Sequence, residues 1–185
     1  IIYVKDNPSD DTFNLANYEF ISSFIVRISI ASSLTSAISI NLNNCSNLNY
    51  IDCDRFLLSS ISANNCPNLG GLLDLQYCGN NLKIINAGYD KAPETLGGII
   101  GLSISNSQSI ETIYIPYTSV PPLPDSGNIL TSLNTLNISG CSNFKTYNFR
   151  SLSALEHLYA NNSGLEGNLS FNNKKHTNYY RWYNV

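Results

Sequence analysis

Two carboxylates, Asp52 and Asp54, stand two residues apart in the run Ile51-Asp-Cys-Asp54. On an extended strand such a pair projects from one face, with Cβ atoms about 7 Å apart. That separation is compatible with the paired acid/base work of a glycosidase. The same alternation, Ile51 and Cys53 inward with Asp52 and Asp54 outward, is fully explained by a strand with one wet face. The chain holds only two histidines, His157 and His176. Neither a Ser-His-Asp arrangement nor a multi-His metal site can be built from them. His157 sits beside Leu158 on a strand pattern and is expected to face solvent. The cluster Asp6, Asp10 and Asp11 has oxygen ligands suited to Ca²⁺, but it lacks the glycine and distal glutamate of an EF-hand loop. It reads as a polar capping loop. Gly97-Gly-Ile-Ile-Gly101 has neither the lysine nor the spacing of a phosphate loop. No catalytic residue, metal site or cofactor is therefore assigned.

Five cysteines lie at positions 45, 53, 66, 78 and 141, with no Cys-x-x-Cys pair to suggest zinc. Most occupy the small inward position of a turn, and the expected arrangement is a column of buried free thiols. A bridge such as Cys45 to Cys66 is the alternative, since neighbouring strands about 4.8 Å apart are within disulfide reach.

The elements that position these residues are short strands. Apolar residues two apart recur at Leu136/Ile138, Tyr147/Phe149 and Leu158/Ala160, each pair shifted by eleven residues from the last. Earlier pairs are Ile28/Ile30, Ile40/Leu42, Ile51/Cys53, Ile61/Ala63, Leu73/Leu75, Ile85/Ala87, Leu102/Ile104 and Ile113/Ile115. Each reads as a strand with one buried face. Between them comes a recurring phrase: Cys45-Ser-Asn-Leu48, Cys66-Pro-Asn-Leu69, Cys78-Gly-Asn-Asn-Leu82, Ser107-Gln-Ser-Ile110 and Cys141-Ser-Asn-Phe144. The small residue turns the chain, the asparagine can bond backbone groups at the bend, and the last apolar residue re-enters the core. Stacked copies would line these asparagines up in a ladder. A strand and turn repeated every ten to twelve residues buries its apolar side only by stacking on itself, which predicts a solenoid.

The phrases Asn44-Cys-Ser-Asn-Leu-Asn-Tyr-Ile-Asp-Cys53 and Ile61-Ser-Ala-Asn-Asn-Cys-Pro-Asn-Leu69 resemble leucine-rich repeats, and most of all the short two-strand repeats of Bacteroidetes surface proteins. The resemblance spans about residues 24–170 and implies a mainly β, leucine-rich-repeat-like solenoid of short parallel strands used as a recognition surface. It places an irregular N-terminal cap at 1–23 and the solenoid at 24–170. Residues 171–185 form a C-terminal cap or a junction to further structure. The step lengthens between Ala87 and Leu102 and between Ile115 and Leu136, so loops are expected near 89–100 and 116–132, the second stiffened by Pro121-Pro-Leu-Pro124. The cysteine phrase follows two consecutive strands, at Cys66 and Cys78, which leaves open which strands share a sheet.

Charged residues make up 12% of the chain, about half the share usual in soluble proteins. Asparagine and serine take their place, as suits a β surface facing the exterior of a cell or particle. The hydrophobic content of 43% is enough to build a core. A net charge of −3 argues against nucleic acid, which needs a basic stripe. No apolar run is long enough to span a bilayer. The absence of methionine and of a signal-like apolar stretch suggests a processed chain or a piece of a longer one.

Binding is expected on the outward strand positions Tyr50, Asp52, Asp54, Tyr114, Asn148, Arg150, His157 and Tyr159. Tyrosine gives contact area at low entropic cost and the amides adapt their hydrogen bonds. A second candidate is the aromatic tail Tyr179, Tyr180, Trp182 and Tyr183. The expected function is a non-catalytic recognition or adhesion module of a cell-surface or secreted protein, with a protein or glycan as partner. The alternative is a structural or receptor-binding component of a larger particle, such as a phage tail fibre or capsid decoration, packed against neighbouring subunits. A carbohydrate-active enzyme comes third.

Overall fold

The computed structural model describes residues 2–4, 12–14, 27–30, 38–52, 58–75, 78, 81–94, 97–104, 108–123, 130–166, 171 and 180–181. Among them the chain is mainly β. The strands are β1 (Ile2–Val4), β2 (Thr12–Asn14), β3 (Arg27–Ile30), β4 (Ile38–Asn41), β5 (Tyr50–Asp52), β6 (Leu58–Ser62) and β7 (Leu72–Asp74). They continue as β8 (Ile84–Asn86), β9 (Gly101–Ser103), β10 (Thr112–Tyr114), β11 (Thr135–Asn137), β12 (His157–Tyr159) and β13 (Tyr180–Arg181). Helix is confined, among the described residues, to one 3₁₀ turn at Phe149–Ser151.

Every pairing between these strands is parallel. Eight strands form one sheet in the order β2-β4-β6-β8-β10-β11-β12-β13. A second sheet holds β1-β3-β5 and a third holds β7-β9. From β1 to β10 the chain alternates between the long sheet and the shorter ones. The uncertainty over Cys66 and Cys78 is thereby resolved: Ile61 and Ile85 share the long sheet, whereas Leu73 pairs with Leu102.

Along the long sheet Ile40, Ile61, Ile85, Ile113, Leu136 and Leu158 lie opposite one another. These partners are 21, 24, 28, 23 and 22 residues apart in turn. The ten-to-twelve residue spacing is thus half the interval at which the chain returns to the same sheet. Parallel neighbours need a crossover, usually a helix; here the crossover is a turn and, in the first half, a strand of another sheet.

The in-register pairing builds the core. Ile40, Ile61, Ile85, Ile113, Leu136 and Leu158 are all buried, as is the following column Leu42, Ala63, Ala87, Ile115, Ile138 and Ala160. Leu58, which opens β6, and Leu82, Ile110, Leu133 and Leu155, just ahead of their strands, form a third buried column. Ile51, Leu73 and Leu102 close the same core from the other sheets. Each such aliphatic side chain contributes about 1.5–3 kcal/mol of hydrophobic stabilisation.

The turns after β4, β6, β10, β11 and β12 share a left-handed residue. Asn44, Asn65, Tyr117, Gly140 and Asn162 have φ of 62°, 57°, 57°, 71° and 52°. Asparagine and glycine tolerate that region and a bulky side chain does not. The next position is Cys45, Cys66, Thr118, Cys141 or Ser163, three of them small residues of the recurring phrase, and Cys45, Cys66, Cys78 and Cys141 are buried free thiols. Cys53 lies outside the described residues. Cys66 Sγ donates to the carbonyl of Leu42 at 3.2 Å and Cys141 Sγ to that of Ile115 at 3.1 Å, each reaching the preceding turn. The phrase asparagines do the same on the outside: Asn68 Nδ2 donates to Ser46 O at 2.7 Å and Asn143 Nδ2 to Ser119 O at 3.1 Å.

One expected strand is absent. Tyr147/Phe149 reads as an alternating pair, yet Phe149 opens the 3₁₀ turn. Asn148 caps it, its Oδ1 accepting from Arg150 N at 3.1 Å, a local bond that competes with extended backbone. Phe149 instead fills the core, with its ring 5.0 Å from that of Tyr147 and 5.2 Å from that of Phe171.

Candidate functional site

The candidate site is the outward face of the eight-stranded sheet. With Ile113, Leu136 and Leu158 turned inward, the flanking residues of each strand must point out. Register sets them in two rows. One runs Ser60, Ile84, Thr112, Thr135 and His157, and the other Ser62, Asn86, Tyr114, Asn137 and Tyr159. Arg181 of β13 continues the second row in backbone register. A further line of polar residues borders the first row, where Lys83 Nζ meets Glu111 Oε1 at 2.9 Å and His157 Nε2 lies 4.0 Å from Glu156 Oε2.

Of the residues proposed from sequence, Tyr114, His157 and Tyr159 come together here. Tyr50 and Asp52 belong to β5 in the three-stranded sheet, where Asp52 stands opposite Ser29, so they lie on a different surface. Tyr50 is exposed there, at 45%. Asn148 and Arg150 are exposed but occupy the 3₁₀ turn, which corrects their assignment to a strand face. Tyr180 extends the long sheet opposite Leu158. Asp54, Tyr179, Trp182 and Tyr183, together with Asp6, Asp10, Asp11 and His176, lie outside the described residues.

Asn137 holds its own turn, its Oδ1 accepting from Ser139 N at 3.0 Å, and its amide nitrogen makes no hydrogen bond among the described residues. The hydroxyls of Tyr114, Tyr117 and Tyr159 make no hydrogen bond among the described residues. Burial pushes the Tyr114 hydroxyl above its ordinary pKa, and the nearby Asp90 and Tyr117 add to the shift. It is therefore a neutral donor and acceptor at physiological pH.

Two residues at this rim were not singled out from the sequence. Asp90 is clamped by Asn65, whose Nδ2 donates to Asp90 Oδ2 at 2.8 Å while Asn65 Oδ1 accepts from Asp90 N at 3.2 Å. Tyr117 occupies the left-handed turn position, and its ring lies over Gly140 so closely that a Cβ there would overlap Cδ1 of the tyrosine. The signal for Tyr117 was its alignment with Asn44 and Asn65 once full register is counted; Asp90 gave no signal, being inside an expected loop. Close by, Tyr89 is buried at 6% exposure against Gly97 and Gly98, its hydroxyl without a hydrogen-bond partner among the described residues.

Among the described residues no three His, Cys, Asp or Glu side chains gather as metal ligands. Nor is any helix there long and apolar enough to cross a membrane. Compared with known proteins, the chain matches no family model, no curated sequence and no solved structure.

Proposed function

We propose that the chain is a leucine-rich-repeat-like solenoid acting as a non-catalytic recognition or adhesion module of a cell-surface or secreted protein. Its partner is a protein or a glycan, bound on the outer face of the long sheet. The observation that carries this reading is the pair of outward rows on β10, β11 and β12, where Thr112, Thr135 and His157 run beside Tyr114, Asn137 and Tyr159. Such a face presents rings and amides whose positions are fixed by backbone pairing, so little order has to be gained on binding. Alternation between sheets with a near-constant return interval supports the solenoid.

The test is titration of the labelled chain against arrays of glycans and of extracellular proteins. Saturable binding that disappears in a Tyr114→Ser/Tyr159→Ser double variant is expected. Turnover of a glycan or peptide that is lost in Asp52→Asn would replace recognition with catalysis.

A further inference from the structure

Three observations converge at the rim of the long sheet. The first is backbone strain at Tyr117, where φ is 57°. A bulky residue is strained in the left-handed region, and the equivalent turns after β4, β6, β11 and β12 use Asn44, Asn65, Gly140 and Asn162 instead. Strain of this kind concentrates where a side chain is placed for function. The second is that the neighbouring turn makes room for the ring. Gly140 has no Cβ to obstruct Tyr117, so the ring lies across the turn after β11 and remains half-exposed. The third is the clamp on Asp90, whose Oδ2 and backbone nitrogen are both held by Asn65, leaving Oδ1 without a partner among the described residues.

Around this point stand Tyr114 and Tyr159, on strands separated only by β11. Two strand spacings put their Cα atoms roughly 9.5 Å apart, close to the length of two linked pyranose rings. Asn137 lies between them in the same row, its amide oxygen held by Ser139 N and its amide nitrogen without a hydrogen bond among the described residues. The cluster thus offers three rings, a fixed amide and a fixed carboxylate oxygen. Rings cover the apolar C–H faces of sugars, while amides and carboxylates take their hydroxyls. Among the described residues Glu111 is engaged by Lys83 and Glu156 sits beside His157, so Asp90 is the carboxylate of the cluster without a cationic partner, while Arg181 continues the row of Tyr159 in backbone register. That balance fits an uncharged ligand better than a basic peptide.

We propose that Tyr114, Tyr117 and Tyr159, with Asn137 and the clamped Asp90, form a binding site for a neutral linear glycan laid across β10, β11 and β12. This rests on the reading of the long-sheet face as a recognition surface and names its ligand class.

The experiment is isothermal titration calorimetry of the 185-residue chain with cellohexaose, xylohexaose, laminarihexaose and chitohexaose, and separately with a Lys/Arg-rich peptide. Saturable binding of at least one hexasaccharide is expected, weakened about tenfold by Tyr159→Ala and by Asp90→Asn. Leu72→Ala, on the exposed surface of the two-stranded sheet, leaves it unchanged. Tyr117→Asn introduces the side chain found at Asn44, Asn65 and Asn162, so this variant is expected to melt no lower than the parent while losing affinity to a similar degree. If no hexasaccharide binds, or if binding ignores these substitutions, the glycan site is overturned. In that event, peptide binding that falls with Tyr159→Ala removes only the ligand class and leaves the recognition face standing. Silence towards every probe removes both.

Discussion

At the scale of single residues, the Cys66 thiol is the most heavily perturbed group among the described residues. Burial, with Cys45 adjacent, pushes its pKa from the ordinary 9.0 up to about 12. Burial likewise raises Cys45 and Cys141. The folded state therefore holds the proton of Cys66 over a range where the unfolded chain releases it. The resulting stabilisation is complete below 9.0 and is lost as pH climbs towards about 12. We expect the stability of the parent relative to a Cys66→Ala variant to fall as pH rises above about 9, measured by urea unfolding across that range. A difference that stays constant with pH would mean that the thiol ionises equally in both states. The same burial accounts for the thiols as packing groups whose S–H finds a carbonyl on the preceding turn, as at Leu42 and Ile115.

At the scale of elements, each strand is two to five residues long, and those of the core gain their place from an inward residue in register with its neighbours. Ile113 is fully buried between Ile85 and Leu136, so Ile113→Ala should cost about 2–5 kcal/mol, whereas Ile84→Ser on the outer face should change stability by less than about 0.5 kcal/mol. Chemical denaturation of the two variants decides it, and equal losses would place Ile84 inward. This inward and outward division was readable in the sequence, because spacing of two and a repeated turn phrase depend only on neighbouring residues. Tyr147/Phe149 misled for a physical reason: a two-residue apolar spacing cannot distinguish a strand from a turn when Asn148 can cap its own backbone. The site was half legible. Tyr114, His157 and Tyr159 follow from alternation within one strand, but their meeting on one sheet, and the exclusion of Tyr50 and Asp52, depend on pairing between distant segments. Asp90 and Tyr117 were hidden further, since a clamp and a left-handed turn are set by the neighbouring turns and leave no local signature.

At the scale of the whole molecule, stability comes from apolar columns and backbone pairing rather than from charge. The ion pair between Lys83 and Glu111 is exposed, and exposed pairs contribute about 0–1 kcal/mol. With charged residues at 12% and a net charge of −3, long-range repulsion is small as well. The melting temperature should accordingly move by no more than about 2 °C between roughly 0.05 and 0.5 M NaCl. A calorimetric shift several times larger would reveal an ionic network that supports the fold.

The turn asparagines carry a consequence for how the molecule bears load. Asn43 Oδ1 accepts from Asn64 N at 2.8 Å, and Asn64 Oδ1 accepts from Gly88 N at 3.1 Å, so each turn grips the next through a side chain. The series stops at Gly88, which has no side chain to offer, facing Pro116, which has no N–H to give. Backbone bonds still cross that boundary, from Ala87 N to Tyr114 O and from Tyr89 N to Pro116 O. At that step the load passes to backbone bonds and to the exposed Lys83–Glu111 pair, so the turn side chains share tension from the turn after β4 to the turn after β8 but do not hand it on to the turn after β10.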